Sequence, residues 1–174
     1  MATYLDRILS DHRESASSDV RSLDGLIAQA RSAPPARGFD LALRGAPMGE
    51  PAIVAEVKRR SPSRGDMAAD LDPAQTAEQY ALGGAACLSV LTDVRYFGGS
   101  VDDLVAARGA VSVPVLRKDF TVDARDVCDA RIMGSDAVLL IVAALDNAGL
   151  ADFHALALEI GNDALVEVHD EAEL

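Results

Sequence analysis

The chain has 174 residues, 49% hydrophobic and 25% charged, the proportions of one soluble globular domain. Its formal net charge of −12 opposes nucleic acid or an anionic membrane as the main partner, since either demands a cationic face. No apolar run approaches the roughly 20 residues that span a bilayer. Met1-Ala-Thr-Tyr-Leu-Asp lacks the basic and apolar regions of a signal peptide, so a cytoplasmic location is expected.

Taken in chain order, residues 1–50 read as a helical N-terminal extension. Tyr4–Asp19 and Leu23–Ala30 carry apolar residues at helical spacing, Ala33-Pro-Pro-Ala-Arg-Gly38 is a turn, and Phe39–Leu43 is a further short helical stretch. The extension is too short for a core of its own and is expected to pack on the remainder.

Residues 51–174 alternate strand and helix. Strands are predicted at Ile53–Lys58, Ala86–Leu91, Val115–Lys118, Ala137–Val142 and Ala164–Val168. Helix signals fall between them. Asp72-Pro73 opens a helix that stops at Gly83-Gly84. Ser100 and Asp103 open one ending at Gly109, Asp123 one ending at Gly134, and Asp146 one ending at Gly161. Repeated βα order implies parallel strands joined by right-handed crossovers. Strand starts recur at the interval expected when a barrel of about 250 residues is divided into eight units. The expected fold is therefore α/β, a (β/α)₈ TIM barrel truncated after the fifth strand. Asp170 and Glu173 announce one more helix before the chain stops at Leu174. A five-stranded flavodoxin-like sheet is the alternative that length permits.

Charge placement favours the barrel. Three apolar runs end on ionisable groups, at Glu56 and Lys58, at Lys118, and at Glu167. Period-two alternation puts Val54, Glu56 and Lys58 on one strand face, likewise Leu116, Lys118 and Phe120, and likewise Leu165 and Glu167. Such groups at the ends of apolar strands are costly unless they perform chemistry or lie in a wet cleft. Parallel strands presenting them at their C-terminal ends is how a barrel builds an active site. The cluster Lys58-Arg-Arg-Ser-Pro-Ser-Arg64-Gly65 reads as a mobile loop whose cations draw an anionic substrate to the mouth. Its rivals are a plain solvated loop and a nucleic-acid patch. Cys87 and Cys128 belong to no metal or redox spacing motif and read as buried thiols. His12 and His154 read as surface residues of amphipathic helices, and His169 as a rim residue beside Glu167.

Five blocks resemble indole-3-glycerol-phosphate synthases. They are Ile53-Val-Ala-Glu-Val-Lys-Arg-Arg-Ser-Pro-Ser-Arg-Gly65, Leu88-Ser-Val-Leu-Thr-Asp-Val-Arg-Tyr-Phe-Gly-Gly-Ser100, Pro114-Val-Leu-Arg-Lys-Asp-Phe120, Asp136–Leu145 and Leu165-Val-Glu-Val-His-Asp170. Arg64 stands where a lysine is common and Val94 where a proline is common. The family's last three βα units have no counterpart here.

The resemblance implies a carboxy-lyase of tryptophan biosynthesis. Such an enzyme closes 1-(2-carboxyphenylamino)-1-deoxyribulose 5-phosphate to an indole with loss of carbon dioxide and water. It implies no organic cofactor and no metal, a small phosphorylated substrate as partner, and a full-length form that is a monomer or weak homo-oligomer. By the same resemblance Lys118 is the general acid and Glu167 the general base. Glu56 and Lys58 are an acid–base pair, with Lys58 on a substrate anion. Phe97, Phe120 and Leu139 form the aromatic slot, and Ser61 lies near the substrate. Two rival functions are a Schiff-base-lysine barrel aldolase on Lys118 and a non-catalytic fragment of the synthase. The isolated chain is expected to be inactive, and to aggregate or form a loose oligomer through its open strand edges.

Overall fold

The computed structural model describes residues 3–173; the readings that touch Met1, Ala2 and Leu174 lie outside the described residues. Five strands form one sheet: β1 (Val54–Val57), β2 (Cys87–Leu91), β3 (Val115–Lys118), β4 (Ala137–Ile141) and β5 (Asp163–Glu167). Every neighbouring pair is parallel, and spatial order follows chain order from β1 to β5. A flavodoxin-like sheet places its second strand outside its first, so sequential order excludes that alternative. The result is an α/β fold consistent with part of a TIM barrel. The expected strands recur with no end shifted by more than one residue: Ile53 and Lys58 fall just outside β1, and Val168 just outside β5.

The helices that join the strands are α4 (Pro73–Leu82), α6 (Val101–Ala110), α7 (Ala124–Ile132) and α8 (Asn147–Glu159). Each starts where a side chain satisfies a free backbone N–H. Asp72 accepts from Gln75, Ser100 from Asp103, and Asp146 from Gly149, while Asp123 and Asp126 form a reciprocal capping box. Gly109 lies inside the last turn of α6 rather than ending it. Gly134, with φ 95°, turns the chain out of α7 so that β4 begins three residues later. Alternation along the strands then divides the core. Val57, Leu88, Val90 and Val115 pack with Ala77, Leu104 and Ala107 under α4 and α6. Val138 and Leu140 pack with Val127, Cys128, Ala157 and Ile160 under α7 and α8.

The opposite face takes the intervening residues Cys87, Leu116, Ala137, Leu139 and Ile141. It is covered in part by the N-terminal helices α1 (Tyr4–Ser17) and α3 (Phe39–Arg44), through Leu9 and Phe39. The helix between them, α2 (Leu23–Ser32), joins the outer layer, where Leu26 and Ala30 meet Val127 and Cys128. Fully burying a leucine such as Leu139 contributes about 1.5–3 kcal/mol, so both faces stabilise the sheet.

Two features between β1 and β3 differ from expectation. Arg60–Ser61 pairs antiparallel with Gly65–Asp66, making a short ribbon where a mobile loop is predicted. Its cations are also largely committed. Arg59 binds the Asp103 carboxylate at 2.9 and 3.0 Å and donates to the Ala69 and Leu71 carbonyls. Arg60 donates to the carbonyls of Val94 and Arg95. Of the three arginines only Arg64 faces solvent, so the segment is braced rather than held out as a cationic lure. The second feature is α5 (Val94–Phe97), a single turn capped by Asp93, which accepts from the N–H groups of Tyr96 and Phe97. The final stretch closes in a 3₁₀ turn, Glu171–Glu173. Among the described residues no helix is long and apolar enough to cross a membrane.

Candidate active site

The carboxyl ends of β1, β3 and β5 meet in a cleft of about 380 Å³. Register brings them together, because Leu91 pairs with Lys118 across β2–β3 and Ile141 with Glu167 across β4–β5. Lys118 Nζ donates to Glu167 Oε2 at 2.6 Å, and Lys58 Nζ donates to Glu56 Oε1. All four side chains are about a quarter to a third exposed, open enough to be reached and sheltered enough to be aimed. Beside them Phe97, Phe120 and Leu139 give the cleft an apolar wall, the two rings 6.1 Å apart and tilted by 39°.

Seven of the eight residues singled out in the sequence therefore line one cleft. Ser61 does not. It sits on the ribbon, where its Oγ accepts from the Arg64 N–H. Five further residues line the cleft: Leu5, Leu91, Asp119 and Ile141, which sequence reasoning did not assign to it, and His169, read from the sequence as a rim residue beside Glu167. Ile141 lies two residues beyond Leu139 on the same strand face, a period-two signal that was there to be used. His169 stands at the rim, half exposed, with Nε2 3.4 Å from Glu167 Oε1.

His12 is a correction. It was expected on a helix surface, yet its Nε2 lies 3.0 Å from Asp93 Oδ2 and 3.9 Å from Asp119 Oδ1, and its ring centroid lies 5.3 Å from that of Phe120. The physical reason is helical phase. Leu5, Ile8, Leu9 and His12 share one stripe of α1, and that stripe faces the sheet. Burial lowers the imidazole's proton affinity, but the Asp93 hydrogen bond and the charges of Asp119, Asp93 and Asp126 outweigh it, and the net shift is upward. Asp93 is held below the usual carboxylate range: burial opposes ionisation, and the His12 bond with the N–H groups of Tyr96 and Phe97 overcomes it. His154 is exposed, as read from the sequence.

His12, Asp93 and Asp119 form the one metal-like group among the described residues, with a ligand atom from each within 4.8 Å of the others. Its carboxylate oxygens are already engaged. Asp93 serves α5 and His12, while Asp119 accepts from the Phe120 N–H, Thr92 and Arg117. It is a closed hydrogen-bond network rather than an open ligand set. Cys87 and Cys128 are buried, and burial pushes both thiols up to about 11, which removes them as nucleophiles near neutrality.

The arrangement offers an ammonium and a carboxylate in proton contact, a second such pair, and an aromatic-lined slot between them. Comparison with known proteins gives the family. The family model described as indole-3-glycerol phosphate synthase matches residues 5–174. The indole-3-glycerol phosphate synthase of Laribacter hongkongensis (strain HLHK9) is 52% identical over 177 residues, covering 100% of this chain and 67% of the relative. That of Polaromonas sp. (strain JS666 / ATCC BAA-500) is 49% identical with the same coverage. The chain belongs to the indole-3-glycerol phosphate synthase family.

Proposed function

We propose that this cleft carries out the ring closure of 1-(2-carboxyphenylamino)-1-deoxyribulose 5-phosphate to indole-3-glycerol phosphate, with release of carbon dioxide and water. The observation that carries the proposal is the 2.6 Å contact of Lys118 and Glu167 beside the Phe97–Phe120 slot. The slot takes the aryl group. The ring carbon bearing the carboxylate attacks the sugar ketone, and the C=O π pair moves to oxygen. Lys118 supplies a proton to that oxygen as its charge develops. Loss of carbon dioxide returns the C–C bonding pair to the ring. The new hydroxyl then leaves as water on receipt of a second proton, while Glu167 takes the proton from the carbon next to nitrogen. A positioned proton transfer of this kind contributes about 10² to 10⁴ in rate.

Glu56 and Lys58 complete the polar wall, with Lys58 on the substrate's carboxylate. Ser61, on the ribbon after β1, is a substrate contact only if that ribbon closes. The five strands are the first five units of a (β/α)₈ barrel, with 1–50 as its helical extension. The relatives continue beyond the matched region, and in barrels of this class phosphate sits at the loops after strands seven and eight. The protein works in the cytoplasm without a cofactor, as a monomer or weak homo-oligomer once the barrel is whole.

The test measures indole-3-glycerol phosphate formed by the 174-residue chain, and by the same chain joined to the remaining third of the Laribacter relative. Turnover by the joined chain is expected, and none by the shorter one. A folded joined chain that consumes no substrate would sink the assignment.

A further inference from the structure

We propose that His12 is a positioning residue whose imidazolium latches α1 onto the ends of β2 and β3, and so fixes Phe120 and the neighbouring Lys118 for the aryl end of the substrate. The role of the cleft rests on the function proposed above; the latch itself does not. His12 is the α1 residue with ionic partners at both strand ends among the described residues. His12 Nε2 faces Asp93 at 3.0 Å and Asp119 at 3.9 Å, and its ring lies against Phe120, which in turn meets Phe97. Asp119 sits between Lys118 and Phe120 in the chain, so whatever holds Asp119 also sets the general acid and the slot.

The charges around the imidazole explain why a cation belongs there. From the turn after β2 come Asp93, Arg95 and Tyr96; from the end of β3 come Arg117 and Asp119; from α7 comes Asp126; and Asp11 precedes His12 on α1. Arg95 and Tyr96 are taken by Asp11, and Arg117 by Asp119 and the Asp126 carbonyl. Burial pushes Asp126 upward, so the cluster already strains to hold its negative charge. Once His12 is neutral its Nε2–H still donates to Asp93, but the attraction to Asp119 and Asp126 disappears.

The sign follows. His12's proton affinity is raised in the folded state, so the latch is complete at pH below the ordinary histidine value of 6.5 and is lost as pH rises through the higher folded value. Loss of the latch loosens the Asp119 segment against α1 and lets the Phe120 ring turn.

The experiment is an NMR titration of the chain joined to the remaining third of the Laribacter relative, following the His12 ring and the Phe120 ring resonances, with His12→Gln as the non-titrating control. The His12 midpoint is expected above about 6.5, with the Phe120 signals moving on the same curve. In His12→Gln the Phe120 signals should lie at their high-pH position throughout. The kinetic counterpart uses the joined chain. KM should rise about threefold to tenfold across the same midpoint, kcat should change less, and His12→Gln should show the raised KM at every pH. Phe120 signals that ignore the His12 titration overturn the latch, as does a Phe120 inflection that persists in His12→Gln. The wild-type titration decides the matter even if His12→Gln does not fold. Failure of the functional assignment would look different: no turnover at any pH with the Phe120 response intact.

Discussion

Two clusters of charge sit at opposite ends of the same sheet, and they are built on opposite plans. At the amino ends of β3 and β4, Asp136 is completely buried and accepts from four donors. These are the backbone N–H groups of Arg37 and Val115 and two nitrogens of Arg108. Arg37 in turn donates to the carbonyls of Val111, Val113 and Arg108, tying the turn before α3 to the floor of the sheet. At the carboxyl ends, Lys118 and Glu167 have each other, Lys58 has Glu56, and all four remain in touch with solvent. A carboxylate with every lone pair occupied cannot exchange a proton or meet a substrate. One that keeps an oxygen open to solvent can. The number of partners, more than the presence of charge, separates structural from chemical ends of this sheet.

Three substitutions sharpen that contrast. The largest effect should come from the floor. Asp136→Ala leaves Arg108 and two backbone N–H groups without their acceptor and should cost about 3–5 kcal/mol of stability, read by denaturant unfolding. A loss below about 1 kcal/mol would show that water replaces the carboxylate. Next comes Lys118→Ala in the joined chain. It should lower kcat by about 10² to 10⁴ while substrate binding stays within about tenfold, because the ammonium acts on charge that develops in the transition state. A variant that keeps more than about a tenth of the wild-type kcat removes Lys118 from that role. The smallest effect should come from Lys58→Met, which should raise KM about tenfold, lower kcat as well, and leave binding less sensitive to salt. An unchanged KM with unchanged salt dependence would make Lys58 structural or purely catalytic.

How much of this was legible in the sequence depends on the range of the contact involved. Strand positions and helix starts rest on local signals, so β3 was found to the residue and Asp72, Ser100, Asp123 and Asp146 all cap helices. The convergence of Glu56, Lys58, Lys118 and Glu167 followed from period-two alternation once the strands were taken as parallel. Contacts between distant segments were not legible in this way. Nothing near residue 12 announces a partner at residue 93, and the arginines after β1 look free until Asp103 and the carbonyls of α5 are in place. Ser61 shows the other limit. Its resemblance to a substrate-contacting position concerns a segment whose ribbon geometry no periodicity encodes.

The sequential order of the strands also bears on how the chain assembles. Each βα unit can add to an edge already formed by the unit before it, so the sheet can grow in the direction in which the chain is synthesised, with short loops to close at every step. The first helix breaks that progression. Arg13 on α1 donates to the Ala144 carbonyl at 2.8 Å, and Leu9 packs among Ala137, Leu139 and Ile141. Those partners lie more than a hundred residues downstream. Helix α1 therefore leaves the ribosome before all of these strands, yet its seat is complete only once β4 is laid down.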